Sequence, residues 1–372
     1  MLLSRTNYKE ESKLKITDIR VKNITVPLIK PFKTALRTAY DIQSLLIIVE
    51  TDWGVVGLGE APPTGVITGN TVGSIKGAIE EHIKPALTGR DIADFEETLF
   101  SLNQAVLHNE SAKAAVEIAL YDLFGKLHKA PVYKLLGGYR NKMYTDITIS
   151  VNEPEEMAKD SQEAVAKGFD ILKIKVGKDI KKDLERLTAI QSTVGNSIKL
   201  RLDANQGWKA KEAIYSIRRM EDQGLNVDLI EQPVHAKDLE GLKAVTDNVS
   251  VPIMADESVF SPKDAIEILQ TRSADLLNIK LMKTGGIANA LKICSIAEIY
   301  GVECMIGSML ESKLSVTAAG HLGGAKKVIT RYDLDTPLLG SNDPINGGLS
   351  YDGPIVNIPN SHGFGIMGDE FI

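Results

Sequence analysis

Cysteine is scarce: Cys294 and Cys304 are the only two in 372 residues, and they fall in or beside regular elements rather than in a spaced framework. A disulfide scaffold and a zinc cluster are both set aside on that ground. There is no basic block, and the formal net charge is −6, which argues against nucleic acid or an anionic membrane as the principal partner. No window approaches the length of a membrane span, and Met1-Leu2-Leu3-Ser4-Arg5 is too short an apolar run for a signal peptide, so a cytoplasmic enzyme is expected. Low-complexity segments are missing as well. What is present is an apolar fraction of 43%, enough for two cores.

The stretch Leu172-Lys173-Ile174-Lys175-Val176-Gly177 organises the rest. On a pleated strand the two lysines share one face, and Leu172, Ile174 and Val176 share the other. Taken alone, it fits an edge strand with a solvated face as well as a buried strand. Further apolar runs then end in a charged residue, at Asp203, Glu231, Asp256 and Lys280, with successive intervals from Lys175 of 28, 28, 25 and 24 residues. Between them lie stretches of helical period, such as 209–223 and 262–271, closed by Gly or a small polar cluster. This is a βα repeat. With further strand-like runs at 302–306 and 328–332, it fits a closed (β/α) barrel better than an open sheet. The C-terminal strand ends of such a barrel converge on one mouth, where Lys175, Asp203, Glu231, Asp256 and Lys280 are expected to meet.

The chain exceeds one barrel, leaving roughly 130 to 170 residues for a second unit. Residues 1–13 are polar and expected to fray. A strand is expected over 14–26, ended by Pro27 and Pro31, and strands over 45–51 and 55–61 flank Asp52-Trp53-Gly54 as a hairpin. The segment 31–38 is too apolar for a purely solvent-facing connection. The clearest helix runs from Ser111, as N-cap, through Leu127 to the break at Ala130-Pro131. Strands first and helices after make an α+β unit over 1–137, ending near Gly137-Gly138-Tyr139. The barrel then spans 138–336, with its first strand expected over 144–151 and seven more to Asp333. The segment 337–372 carries β-like runs at 355–358 and 363–366 and is expected to fold back on the first unit.

Three carboxylates from consecutive strand ends, Asp203, Glu231 and Asp256, suit one hard divalent cation bound facially, and an all-oxygen donor set favours Mg²⁺ over zinc. The plainer alternative is a structural network of strand-end acids partnered by lysines.

At this point the pattern resembles a known family. Lys173-x-Lys175, Asp203-x-Asn205, Glu231-Gln232-Pro233, Asp256-Glu257-Ser258 and Asn278-x-Lys280 resemble the enolase superfamily, muconate-lactonizing subgroup. Ala119-Leu120-Tyr121-Asp122 and Leu135-Leu136-Gly137-Gly138 extend the resemblance over nearly the whole chain. It implies an N-terminal α+β capping domain over a modified (β/α)7β barrel, a TIM-barrel variant, with the C-terminal tail completing the cap. The implied chemistry is removal of a proton from carbon next to a carboxylate, with Mg²⁺ on the three acids stabilising an enediolate. A free lysine near pKa 10.4 is a poor base at neutral pH, so Lys173 and the metal are expected to lower the pKa of Lys175. Lys280 comes from the opposite side of the mouth. Bases on both faces of a planar intermediate invert the carbon, which is racemase or epimerase chemistry.

Asp333-Leu334-Asp335 resembles the Asp-x-Asp motif of the dipeptide epimerases in this subgroup, where the pair receives the α-ammonium of the first residue. A solvated loop pair or a helix cap is the alternative. Arg37 matches the position that holds the glutamate side-chain carboxylate in the epimerases of L-Ala-D/L-Glu. Lys173, Thr148 and Ser308 are further expected substrate contacts, and Asn205 and Glu257 are expected to support the metal ligands. His235 reads as a loop residue, and Gly285-Gly286 as room for the next helix to start close to the substrate. The implied activity is Mg²⁺-dependent epimerisation of a dipeptide, of the L-Ala-D/L-Glu kind, at the α-carbon of its C-terminal residue. The resemblance further implies a homo-oligomer acting on products of cell-wall peptide breakdown. N-acylamino-acid racemase or o-succinylbenzoate synthase activity, which does not need Asp333 and Asp335, and a non-catalytic barrel binding a small anion stand as alternatives.

Overall fold

The run Leu45 to Val49 is buried on both faces and therefore needs cover on both sides. In the computed structural model, which describes residues 13–34, 36–177 and 179–367, strand β2 (Thr38–Thr51) lies between β1 (Ile16–Lys33) and β3 (Val56–Ala61), all antiparallel. All but the last residue of the expected frayed start falls outside the described residues. Residues 52–54 make the β2–β3 turn, with Gly54 at φ 71°. Pro27 and Pro31 do not end β1, because β1 is an edge strand and its missing N–H groups cost no ladder bond; the register shifts between Pro27 and Phe32 and the strand continues to Lys33.

The helix Glu110–Leu127 packs on β3 so closely that a Cβ at Gly57 or Gly59 would run into the carbonyls of Ala119 and Ala115. Its N-cap is Asn109, in the left-handed region, while Ser111 sits within the first turn and its N–H donates to Asn70 Oδ1.

Eight parallel strands follow: β5 (Ile147–Ile149), β6 (Ile171–Lys175), β7 (Lys199–Asp203), β8 (Val227–Glu231), β9 (Ile253–Ala255), β10 (Leu276–Ile279), β11 (Cys304–Ile306) and β12 (Ile329–Tyr332). The first barrel strand is shorter than 144–151 because its start belongs elsewhere. Strand β4 (Lys142–Tyr144) pairs antiparallel with β14 (Ile355–Asn357), which also pairs with β13 (Ser350–Asp352). Between β4 and β5 the buried Asp146 turns aside to meet Arg201 at 3.0 Å. The sheet curls until β12 faces β5, but no ladder joins them among the described residues. That seam is held by Asp146 N–H to Tyr332 O (3.3 Å), Leu334 N–H to Thr145 Oγ1 (2.9 Å) and Thr148 N–H to Asp335 Oδ2 (2.6 Å). No helix of the described residues is long and apolar enough to cross a membrane.

Cap and barrel are joined by buried glutamates at helix N-termini, where backbone N–H groups lack intrahelical partners. Glu60 of β3 accepts from Ser312 N–H, Ser312 Oγ–H and Ser315 N–H at the start of the helix Lys313–Ala325. Glu117 accepts from Ala288 N–H at the start of Ile287–Tyr300, and burial pushes its carboxyl up to about 7. The tail closes the cap: Asp122 accepts from Phe364 N–H at 2.9 Å, and Gly363 exchanges backbone bonds with Ala130 and Val132.

His321 lies where the three parts meet. Its Nδ1 accepts from Tyr133 N–H, its ring stands edge-on to Phe364, and burial pushes its pKa down to about 3. A depressed imidazole pKa means that the unfolded chain binds the extra proton. Its contribution is therefore whole above about pH 6.5 and is lost as pH falls toward 3. In urea unfolding from about pH 7.5 to about pH 4, the unaltered chain should lose about 3 kcal/mol more than His321→Gln. Parallel curves for the two proteins would show that the imidazole takes its proton inside the folded chain.

Candidate active site

Strand β6 is flanked by β5 and β7, so its lysine face looks into the barrel rather than to solvent: Lys173 is 1% exposed and Lys175 6%. Parallel register sets Lys175 beside Asp203, and Asp203 beside Glu231. Glu231 lies beside Met254, so Asp256 projects two residues further along the same face, just beyond the end of β9. Lys280 follows β10, four strands round from Lys175. The βα spacing thus brings all five expected charges to one mouth.

The carboxylates are separated by ammonium groups. Lys175 Nζ lies 2.6 Å from Asp203 Oδ2, and Lys280 Nζ lies 2.7 Å from Asp256 Oδ2 and 3.6 Å from Glu231 Oε1. Lys173 Nζ joins Asp333 (2.7 Å), Glu231 (2.8 Å) and Asp203 (3.3 Å). Lys173 is therefore directed at the acids. Burial alone would lower its pKa, but Asp333, Glu231 and Asp203 outweigh burial and hold it well above the ordinary lysine value. Lys280 is likewise raised, with burial overcome by Asp256 and Glu231. Asp203 is held at about 2 by Lys175 and Lys173 despite burial, whereas burial and Asp203 together push Glu231 up.

A fourth ammonium was not anticipated. Lys283, fully buried on the one-turn helix Leu281–Thr284, meets Asp256 Oδ1 at 2.6 Å, donates to the carbonyls of Asn278 and Asp256, and lies over the Phe260 ring. The only signal for it is a second lysine one helical turn after Lys280. Asn278 donates to Glu231 Oε1 at 2.8 Å.

Among the described residues, no three His, Cys, Asp or Glu side chains are gathered as an ion-holding cluster. The donor set nonetheless fits a hard cation: Asp203, Glu231 and Asp256 are buried, all donors are oxygens, and the positive charge they face here is that of the Lys173, Lys175, Lys280 and Lys283 ammonium groups. Asn205 sits at φ 43°, its N–H donates to Asp203 Oδ1, and its amide reaches Glu257, whose carboxyl burial and Asp256 push up to about 8.

The remaining expected contacts line a cavity of about 50 Å³ beside these charges: Arg37, Thr148, Ser308, Asp333 and Asp335, with Lys173, Lys175 and Lys280. Asp333 faces Lys173, whereas Asp335 reaches across the seam to Thr148. Burial and Asp333 push Asp335 up to about 6, and its Oδ1 is buried without a partner. Half-buried Arg37 meets no carboxylate among the described residues. His235 is an exposed loop residue. Gly286 makes room for Glu117 of the cap rather than for a substrate, since a Cβ there would strike that carboxylate, and Gly285, at φ 76°, caps the helix Leu281–Thr284.

With the geometry in hand, comparison with known proteins identifies the relatives. Residues 16–137 match the mandelate racemase / muconate lactonizing enzyme N-terminal domain, and residues 156–372 match the enolase C-terminal domain-like family. A curated L-Ala-D/L-Glu epimerase of Clostridium acetobutylicum is 55% identical over 95% of this chain and 99% of its own. The solved substrate-liganded complex of the L-Ala-D/L-Glu epimerase from Bacillus subtilis superposes with a TM-score of 0.94, at 54% identity over 95% of this chain and 99% of that one. A dipeptide epimerase of Enterococcus faecalis, solved with Mg and L-Leu-L-Tyr, gives a TM-score of 0.91 at 43% identity over 95% and 99%. The chain belongs to the mandelate racemase / muconate lactonizing enzyme family of the enolase superfamily.

Proposed function

We propose that this protein epimerises a dipeptide, L-Ala-D/L-Glu, at the α-carbon of its second residue. The observation that carries the proposal is a pair of unmatched charged groups on one cavity: the guanidinium of Arg37, which meets no carboxylate among the described residues, and the buried, unpartnered Oδ1 of Asp335. A substrate with an α-ammonium at one end and a side-chain carboxylate at the other satisfies both. N-acylated amino acids would leave Asp335 unmatched. The names of the similar proteins from Clostridium acetobutylicum and Bacillus subtilis support the same substrate.

Lys175 and Lys280 act as the two proton carriers. They approach from β6 and from the end of β10, on opposite sides of the mouth. One, as the amine, takes the α-proton, and the other, as the ammonium, returns a proton to the opposite face. Lys173, locked on three acids, fixes Asp333 and balances charge. Asp203, Glu231 and Asp256 would hold Mg²⁺, which supplies positive charge to the substrate carboxylate as the proton leaves. The same proposal divides the chain into a cap (1–137), a barrel (138–336) and a returning segment (337–372). It also takes the protein to be a cytoplasmic homo-oligomer, which light scattering on the purified chain would check for assembly.

EDTA should abolish turnover of L-Ala-L-Glu and Mg²⁺ restore it, with Asp203→Asn, Glu231→Gln and Asp256→Asn each losing about a hundredfold or more. Undiminished turnover in metal-free buffer would remove the metal assignment.

In D₂O, Lys175→Ala and Lys280→Ala should both lose epimerisation, and α-deuteration of a single epimer, followed by mass, should survive in at least one. Full epimerisation by either variant would mean that another group moves the proton.

Asp335→Asn and Arg37→Met should each lower kcat/KM for L-Ala-L-Glu by the cost of an unpaired buried charge, about 2 to 5 kcal/mol. For Arg37→Met the loss should be confined to acidic second residues. Equal loss on apolar second residues would mean that Arg37 supports its loop and does not read the side chain.

A further inference from the structure

A cavity of about 620 Å³ lies against the charged mouth but is distinct from it, outside the barrel at the seam between β12 and β5. Its origin is topological. Where other barrel strands are followed by helices such as Ile180–Val194 and Pro262–Thr271, β12 is followed by only four helical residues, Thr336–Leu339. The outward side chains Ile147 and Ile149 of β5 consequently lack a full helix over them. The gap is lined by Phe169, Leu338 and Leu339, and roofed by the outer end of β1. That roof is held by ion pairs from Lys30 to Asp160 (2.6 Å) and Glu163 (3.1 Å), and by hydrogen bonds of Lys33 with Ser150, Val151 and Asn152.

Two residues, Phe32 and Thr148, border both this cavity and the 50 Å³ cavity that holds Lys175, Asp333 and Asp335. Phe32 is half-buried, and its ring stands 5.8 Å from Lys175 Nζ. Asp335 accepts from Thr148 N–H, so an ammonium held at Asp335 brings the first residue of a dipeptide up to the Phe32–Thr148 wall. Phe32 stands between the two cavities at this point. Behind it lies a volume in the range of small-molecule sites, with an apolar floor.

Resting on the dipeptide assignment above, we propose that Phe32 sets the preference for a small first residue by walling off the seam cavity, which is a latent subsite for a large apolar first side chain. The wall acts by exclusion. A side chain that cannot enter the small cavity is rejected because Phe32 occupies its path, and shortening Phe32 joins the two spaces.

The test compares kcat/KM for L-Ala-L-Glu, L-Leu-L-Glu and L-Phe-L-Glu. Phe32→Ala should raise the L-Phe-L-Glu to L-Ala-L-Glu ratio by at least about tenfold, with Phe32→Leu intermediate. Phe32→Ala combined with Leu339→Trp, which refills the cavity from behind, should return the ratio toward that of the unaltered protein. Phe32→Leu keeps the test valid if the alanine variant does not fold. Unchanged ratios in variants that still turn over L-Ala-L-Glu would overturn the proposal, as would a raised ratio that Leu339→Trp leaves untouched. Failure of the dipeptide assignment is a separate result, namely no α-deuteration of L-Ala-L-Glu by the unaltered chain, and it would take this proposal down with it.

Discussion

Charge has to cancel inside the barrel mouth, and much of the architecture follows from that requirement. Lys173, Lys175, Lys280 and Lys283 are buried with Asp203, Glu231, Asp256 and Asp333, and each ammonium has at least one carboxylate within 2.8 Å. An isolated buried ion costs several kcal/mol, and such pairs at best offset that cost, so the network is poor evidence for stability and good evidence for a use. It works only if successive strands deliver their charged ends at one level. A slip of one residue in any of them would turn its charge into the apolar layer between sheet and helices.

This is why the barrel was legible and several of its supports were not. The repeat of apolar runs ending in charged residues is a local pattern with a fixed period, and Lys175, Asp203, Glu231, Asp256 and Lys280 could be read from it. Lys283 carries no such mark, since a lysine on a short helix reads as solvated until the fold encloses it. Glu60 and Glu117 are equally silent in the sequence, because the helix ends they satisfy lie 171 or more residues away. The prolines of β1 misled for a related reason. Whether a proline breaks a strand depends on which edge of the sheet its missing N–H faces, which only the sheet order decides.

The join between cap and barrel has the same long-range character. Glu60 and Glu117 both leave the cap to satisfy barrel helices, and Leu310 of a barrel loop packs with Val26 and Ile42 of the cap hairpin that carries Arg37. The two units therefore meet through buried polar and apolar contacts rather than a soft interface. Arg37 is held relative to the lysines by packing, and changes in substrate choice are easier to make through side chains at the hairpin tip than through domain movement.

The bond between Phe364 and Asp122 spans 242 residues. A nascent chain emerges N-terminus first, and domains generally fold in that order. Here the cap, which precedes the barrel, cannot be finished until the barrel and the segment after it have left the ribosome. Until then the face of the helix Glu110–Leu127 that receives Phe364 stands open, and Asp122 lacks one of its donors. For the whole of barrel synthesis the cap is therefore an incomplete module, a period in which chaperones and proteases meet a surface that the mature protein never shows.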